Sequence, residues 1–143
     1  MEQHSKEVGS REDLAKYRLE TAKTDLKSAK ILLDSGDYKG ANNRSYYAVF
    51  HAINAIHAID GRTYKRHKDA IANFNKDYIK NDIFSRDIGR KISAMEDIRH
   101  ASDYDDFYIA DKKETERQIN VAEEFIDEVE KYFKKNKTGG RVD

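Results

Sequence analysis

The chain has 143 residues, with 27 lysines and arginines set against 27 aspartates and glutamates, and it contains no cysteine and no proline. That length holds one domain with a sizeable core, the missing cysteines exclude disulfides and thiolate metal sites, and zero net charge removes any general attraction to a polyanion. No apolar run reaches the roughly 18 residues that suggest a membrane span, and MEQHSKEVGS at the start lacks the apolar stretch of a signal peptide, so the expected location is cytoplasmic, with no membrane contact.

Residues 1–9 read as a flexible lead-in. Ser10 with Asp13 three residues on is a variant of the capping box that satisfies free amides at a helix start. Ala15, Leu19, Ala22, Leu26, Ala29 and Leu33 then follow at spacings of four and three, one apolar stripe over five turns. Gly36 is placed to take a left-handed cap and Asp37 to cap the next helix, which predicts a tight antiparallel hairpin.

The second helix, running to Ile59, carries no Asp, Glu, Lys or Arg from Tyr46 onward. At 100° per residue, Ala41, Ser45, Ala48, Ala52, Ala55 and Ile59 form a strip of small side chains where another helix can come close. Val49, Ile56, Tyr46, Phe50, Ile53 and His57 extend the apolar surface, so this helix needs neighbours on several sides. The remaining sector holds Arg44, Tyr47, His51 and Asn54 in one row. Four polar side chains in a row need partners or a wet cleft, and Asp103 or Asp105 are the expected partners.

Asp60-Gly61 signals a turn. The loop RTYKRHK that follows, with Arg62, Lys65, Arg66 and Lys68, is the most basic short window of the chain. It is either a solvated loop or a phosphate-contacting patch. His67, Ile71, Phe74 and Tyr78 mark a third helix ending near Asn81. From Ser85 a fourth carries Ile88, Ile92 and Met95, with Arg99 next on the same stripe, where an arginine snorkels or pairs with a carboxylate. ASDYDDFYIAD breaks the period and reads as a loop. Asp111 with Glu114 opens a last helix whose stripe is Thr115, Ile119, Ala122, Ile126, Val129 and Phe133. Residues 134–143 read as a disordered tail. The fold class is therefore all-α, an antiparallel up-and-down bundle of four to five helices over residues 10–133. No cofactor or metal site is expected; Asp103, Asp105 and Asp106 read as solvent-facing or arginine-paired acids.

RSYYAVFHAINAI in the second helix, RHKDAI at the third, FSRDIGRKISAMEDIRHASDYDDF, and INVAEEFIDEV in the last together resemble the HEPN domain superfamily, and within it the small single-domain proteins related to partners of minimal nucleotidyltransferases. The resemblance covers residues 11–133. It implies a helical bundle, commonly a homodimer, that is half of a toxin-antitoxin type pair with a minimal nucleotidyltransferase and binds nucleotide or RNA. Some members are metal-independent ribonucleases that use an arginine and a histidine spaced four to six residues apart. Arg99 matches that arginine, but the next motif position is Tyr104, which departs from the pattern. Tyr104 could instead accept nucleotides from a partner transferase, and a non-catalytic dimeric interaction module is the alternative reading. The expected site thus comprises Arg99 and Tyr104 for chemistry and Arg44, Tyr47, His51, Asn54, Arg62, Lys65, Arg66 and Asp103 for nucleotide or RNA.

Overall fold

The computed structural model describes residues 11–135 side chain by side chain, and of residues 2–10 and 136–142 only the helical backbone. The expected lead-in, the Ser10 cap and the expected tail beyond Lys135 fall outside those described residues. Among the described residues the chain is all-α: α1 (Glu2–Asp34), α2 (Tyr38–Ile59), α3 (His67–Phe74), a π-helical turn (Asn75–Ile79), α4 (Arg86–Tyr104) and α5 (Lys112–Val142).

The α1–α2 hairpin is closed by backbone chemistry that the sequence implies. Gly36 takes φ +86°, its N–H donates to the Leu33 carbonyl, and the Asp37 N–H donates to that of Leu32 at 2.9 Å. These two bonds satisfy carbonyls that the helix end leaves free. The Asp37 carboxylate then accepts from the Gly40 N–H at 2.9 Å and starts α2. Across the hairpin the Ala-Leu stripe of α1 meets the small strip of α2, and Ala22, Ala29, Ala41, Ala48, Ala52 and Ala55 all lose their entire surface.

The last helix runs antiparallel to α1, as the pairs Lys23–Glu130 and Lys30–Glu123 show, each 2.7 Å long. It presses Ile119, Ala122, Phe125, Ile126 and Val129 into a core shared with α2 and with Phe74, Tyr78, Phe84, Ile88, Ile92 and Met95. Each fully buried Ile or Phe there contributes about 1.5–3 kcal/mol. At the expected start of the fourth helix Ser85 Oγ accepts from the Ile88 N–H, and the cap expected at Asp111 forms, its Oδ1 accepting from the Glu114 N–H. Glu114 does not return the bond, because its carboxylate takes the Tyr108 hydroxyl instead.

Two elements differ from the expectation. The third helix widens at its end into a π turn, in which the Lys80 N–H reaches back five residues to the Asn75 carbonyl. The extra residue lets Ile79 settle over Gly89, where an added Cβ would come within 3.0 Å of Ile79 Cγ2. The fourth helix does not end at Arg99 but continues through Tyr104, with Ser102 buried and the Asp105 N–H still donating to the Ala101 carbonyl. That added turn places Asp103 one turn beyond Arg99, on the same face.

Candidate functional site

The polar row of α2 opens onto a cleft walled by α1, the start of α3 and the end of α4. Arg44, Tyr47, His51 and Asn54 are each half-buried, which fits a wet cleft rather than an enclosed core network. Their carboxylate partner is Asp25 of α1, not Asp103 or Asp105. Arg44 Nη1 reaches Asp25 Oδ1 at 3.1 Å and His51 Nε2 lies 3.5 Å from Oδ2. Asp25 is only 8% exposed, while Arg44 and His51 stay partly exposed, so the carboxylate is the shielded end of the pair. Arg18, which precedes Asp25 on α1, donates to the Asn54 carbonyl at 3.3 Å.

From the other wall Arg99 reaches in. Its guanidinium lies 4.7 Å from the centre of the Tyr46 ring and 5.5 Å from that of Tyr47, donates to the Tyr47 hydroxyl at 3.3 Å, and is 3.7 Å from Asp103. Arg44 stands 5.0 Å from the same Tyr47 ring. His67, the first residue of α3, packs its ring 3.9 Å from that of Phe50 and 6.0 Å from that of Tyr47. Tyr47 is therefore the hub on which two guanidiniums and two imidazoles converge.

Burial shapes the electrostatics. It lowers the pKa of His51 and His67 below the ordinary histidine value, with Asp25 opposing the shift at His51 and Arg99 reinforcing it at His67. Burial also pushes the Tyr46 hydroxyl up to about 12. At neutral pH the cleft thus presents the guanidiniums of Arg18, Arg44 and Arg99 beside largely uncharged imidazoles. Guanidiniums are forked donors suited to phosphate oxygens, and the tyrosine faces suit a base or a ribose.

Several expected site residues lie elsewhere. Tyr104 is 74% exposed and its ring stacks 4.7 Å from that of its neighbour His100, because the extra turn of α4 rotates it out of the cleft. Arg62 is taken by Asp77 at 2.5 Å and Arg66 by Asp69 at 3.2 Å, while Lys65 is simply exposed. The two arginines of the basic loop are thus answered by local carboxylates. Conversely, Arg18, Asp25, Tyr46 and His67 were not among the expected site residues. Arg18 and Asp25 were legible in principle: both fall in register with the α1 stripe, three residues after Ala15 and Ala22, and a charge in register with a core stripe needs a partner.

Among the described residues no group of three or more His, Cys, Asp and Glu is placed to hold a metal ion, and no helix is long and apolar enough to cross a membrane. Compared with known proteins, residues 15–132 match the HEPN domain. A UPF0332 protein of Thermotoga maritima is 27% identical over 87% of this chain and 94% of its own. A Methanocaldococcus jannaschii protein named "Putative toxin MJ0605" is 31% identical over 81% of this chain and 86% of its own. Among solved structures, TT1696 from Thermus thermophilus superposes with a TM-score of 0.68 at 22% identity, covering 82% of this chain and 96% of that one, which establishes the shared fold.

Proposed function

The chain belongs to the HEPN domain family, and from that premise we propose that it is a toxin-like HEPN protein whose Tyr47-centred cleft binds nucleotide or RNA and whose activity is restrained by a minimal nucleotidyltransferase partner. The observation that carries the binding part is the convergence of Arg44 and Arg99, from separate helices, on one half-exposed tyrosine. In a chain of zero net charge, such a convergence is the local patch that a phosphate ligand requires. The toxin part is supported by the two Methanocaldococcus jannaschii relatives that carry the word toxin in their names. Both parts are open to one growth experiment. Expression of the wild type is expected to arrest a bacterial host, Arg99→Ala to relieve the arrest, and co-expression of a cognate transferase to relieve it as well. Normal growth under strong wild-type expression speaks against the toxin reading.

The second reading is a non-catalytic homodimeric interaction module. It is favoured by the loop after α4, where Phe107 is 91% and Ile109 85% exposed beside Tyr104. Large apolar side chains gathered on one loop are suited to a partner surface. Substituting Phe107→Ser and Ile109→Ser together separates the readings: loss of self-association with unchanged binding of an RNA oligonucleotide assigns the loop to assembly and the cleft to ligand.

A further inference from the structure

The outer face of α4 carries a second polar surface, remote from the cleft. Arg86, Arg90, Ser93 and Asp97 follow at spacings of four, three and four, so they share one face of the helix. Arg99 lies roughly 20 Å further along the axis than Arg86 and about 140° around it. Against the outer face the π turn brings Asn75 and Ile79, and together these residues line an open groove of about 460 Å³, within the roughly 300–1,000 Å³ usual for small-molecule sites. We propose that this groove binds a sugar phosphate, with Arg86 and Arg90 on the phosphate and Asp97, Ser93 and Asn75 on the hydroxyls. The site is separate from the Tyr47 cleft and does not depend on what the cleft binds.

Gly89 sets the floor of the groove. It is buried, and its missing side chain lets Ile79 of the π turn rest on the α4 backbone, since an added Cβ would lie 3.0 Å from Ile79 Cγ2. Such π-helical insertions are frequent at functional sites. The polar groups around this floor lack partners: among the described residues the side chains of Asn75, Arg86, Ser93 and Asp97 make no hydrogen bond or ion pair. Arg90 is 3.5 Å from Asp87, but both are largely exposed, so water weakens the pair, and Asp87 also faces Lys91 at 3.1 Å. The π turn adds Lys76 and Lys80, both exposed, while its Asp77 is taken by Arg62. Forked guanidiniums match the oxygens of a phosphate. Asp97 decides the rest of the ligand. A carboxylate repels a continuous polyanion and accepts hydrogens from hydroxyl groups, so the lining fits a small phosphorylated sugar better than a nucleic-acid strand. Ile79 and Ala94 supply apolar surface for its carbons.

The test titrates the full chain with ribose 5-phosphate, inorganic phosphate and ribose, following backbone amides by NMR and affinity by calorimetry. Ribose 5-phosphate is expected to shift the amides of Asn75, Gly89, Arg90 and Ser93 saturably and to leave those of Tyr47 and His51 in place. It binds at least about tenfold more tightly than inorganic phosphate, and ribose alone does not bind. Arg86→Ala with Arg90→Ala weakens binding by about tenfold or more, as loss of charge-assisted hydrogen bonds implies. Asp97→Asn narrows the preference for the sugar phosphate over phosphate, and Ala94→Trp fills the groove and abolishes binding. Arg99→Ala, in the cleft, binds as wild type. Arg86, Arg90, Ala94 and Asp97 are all exposed, so their variants are expected to keep the wild-type melting temperature without ligand, which certifies the fold. Four results overturn the assignment: no saturable shift at millimolar ribose 5-phosphate, binding that survives the double arginine variant, shifts in the cleft in place of the groove, or groove amides that respond to an RNA oligonucleotide and not to the sugar phosphate.

Discussion

His57 is wholly buried, and its ring nitrogens have unequal fates. Nε2 lies 2.9 Å from the Ala70 carbonyl; since a carbonyl only accepts, Nε2 carries the hydrogen and Nδ1, which has no partner, carries the lone pair. Protonation would place a second N–H where nothing accepts it, and burial accordingly lowers the pKa of His57. In the unfolded chain the same ring titrates near its ordinary value of about 6.5. The unfolded state therefore binds more protons once pH falls below that value, and stability declines with acid until the folded ring too is protonated. His51 and His67 shift in the same direction. The urea midpoint is expected to fall between pH 7 and pH 5, and to fall less in His57→Gln; an equal fall in that variant would assign the effect to other groups. At this scale the angular position of each histidine on α2 is legible from spacing. Which of them meets water is not, since the burial of His57 depends on Tyr64 and Tyr78 arriving from elsewhere in the chain.

Between helices, the determinants are the turn glycines and the small strip. Gly36 has φ +86°, and an added Cβ there would meet nothing within 4 Å, so Gly36→Ala tests backbone strain alone and is expected to cost about 1–2 kcal/mol. Gly61 has φ +81°, and a Cβ there would also come within 2.7 Å of Arg11; the Arg11 side chain can swing aside, so the cost of Gly61→Ala is again mainly that of the backbone. Ala52 is fully buried on the strip facing α1, and Ala52→Leu is expected to cost about 1–3 kcal/mol by overpacking. Urea unfolding of the three variants measures all of these; a neutral Ala52→Leu would mean that the hairpin is looser than its packing indicates. The stripes, the two caps at Asp37 and Asp111 and the glycine stops were all legible, because each is a pattern within a few residues. The π turn was not: Phe74 and Tyr78 are four apart in either kind of helix, and the Lys80–Asn75 backbone bond that marks the turn has no signal in the side-chain pattern. The end of α4 was hidden for a related reason. Asp103 looks like a helix breaker until its pairing with Arg99 is known.

For the molecule as a whole, zero net charge makes any RNA affinity a property of the cleft, and this has a measurable signature. If Arg18, Arg44 and Arg99 each neutralise one phosphate of a single strand, the slope of log affinity against log salt is roughly −2, from about −0.7 per contact. Removing one of them flattens it by about 0.7. Arg62 supplies the contrast, for it belongs to the most basic stretch of sequence and is nevertheless committed to Asp77. Binding of a single-stranded RNA oligonucleotide to Arg99→Ala is therefore expected to lose one unit of contact in its salt slope, while Arg62→Ala keeps the wild-type slope. The reverse pattern would move the ligand from the cleft to the loop. The bundle itself was legible from periodicity, since helix faces need only local sequence, but this choice between two basic regions was not. It turns on which arginines converge on Tyr47, and residues as distant in the chain as Arg44 and Arg99 meet there only once the helices have packed.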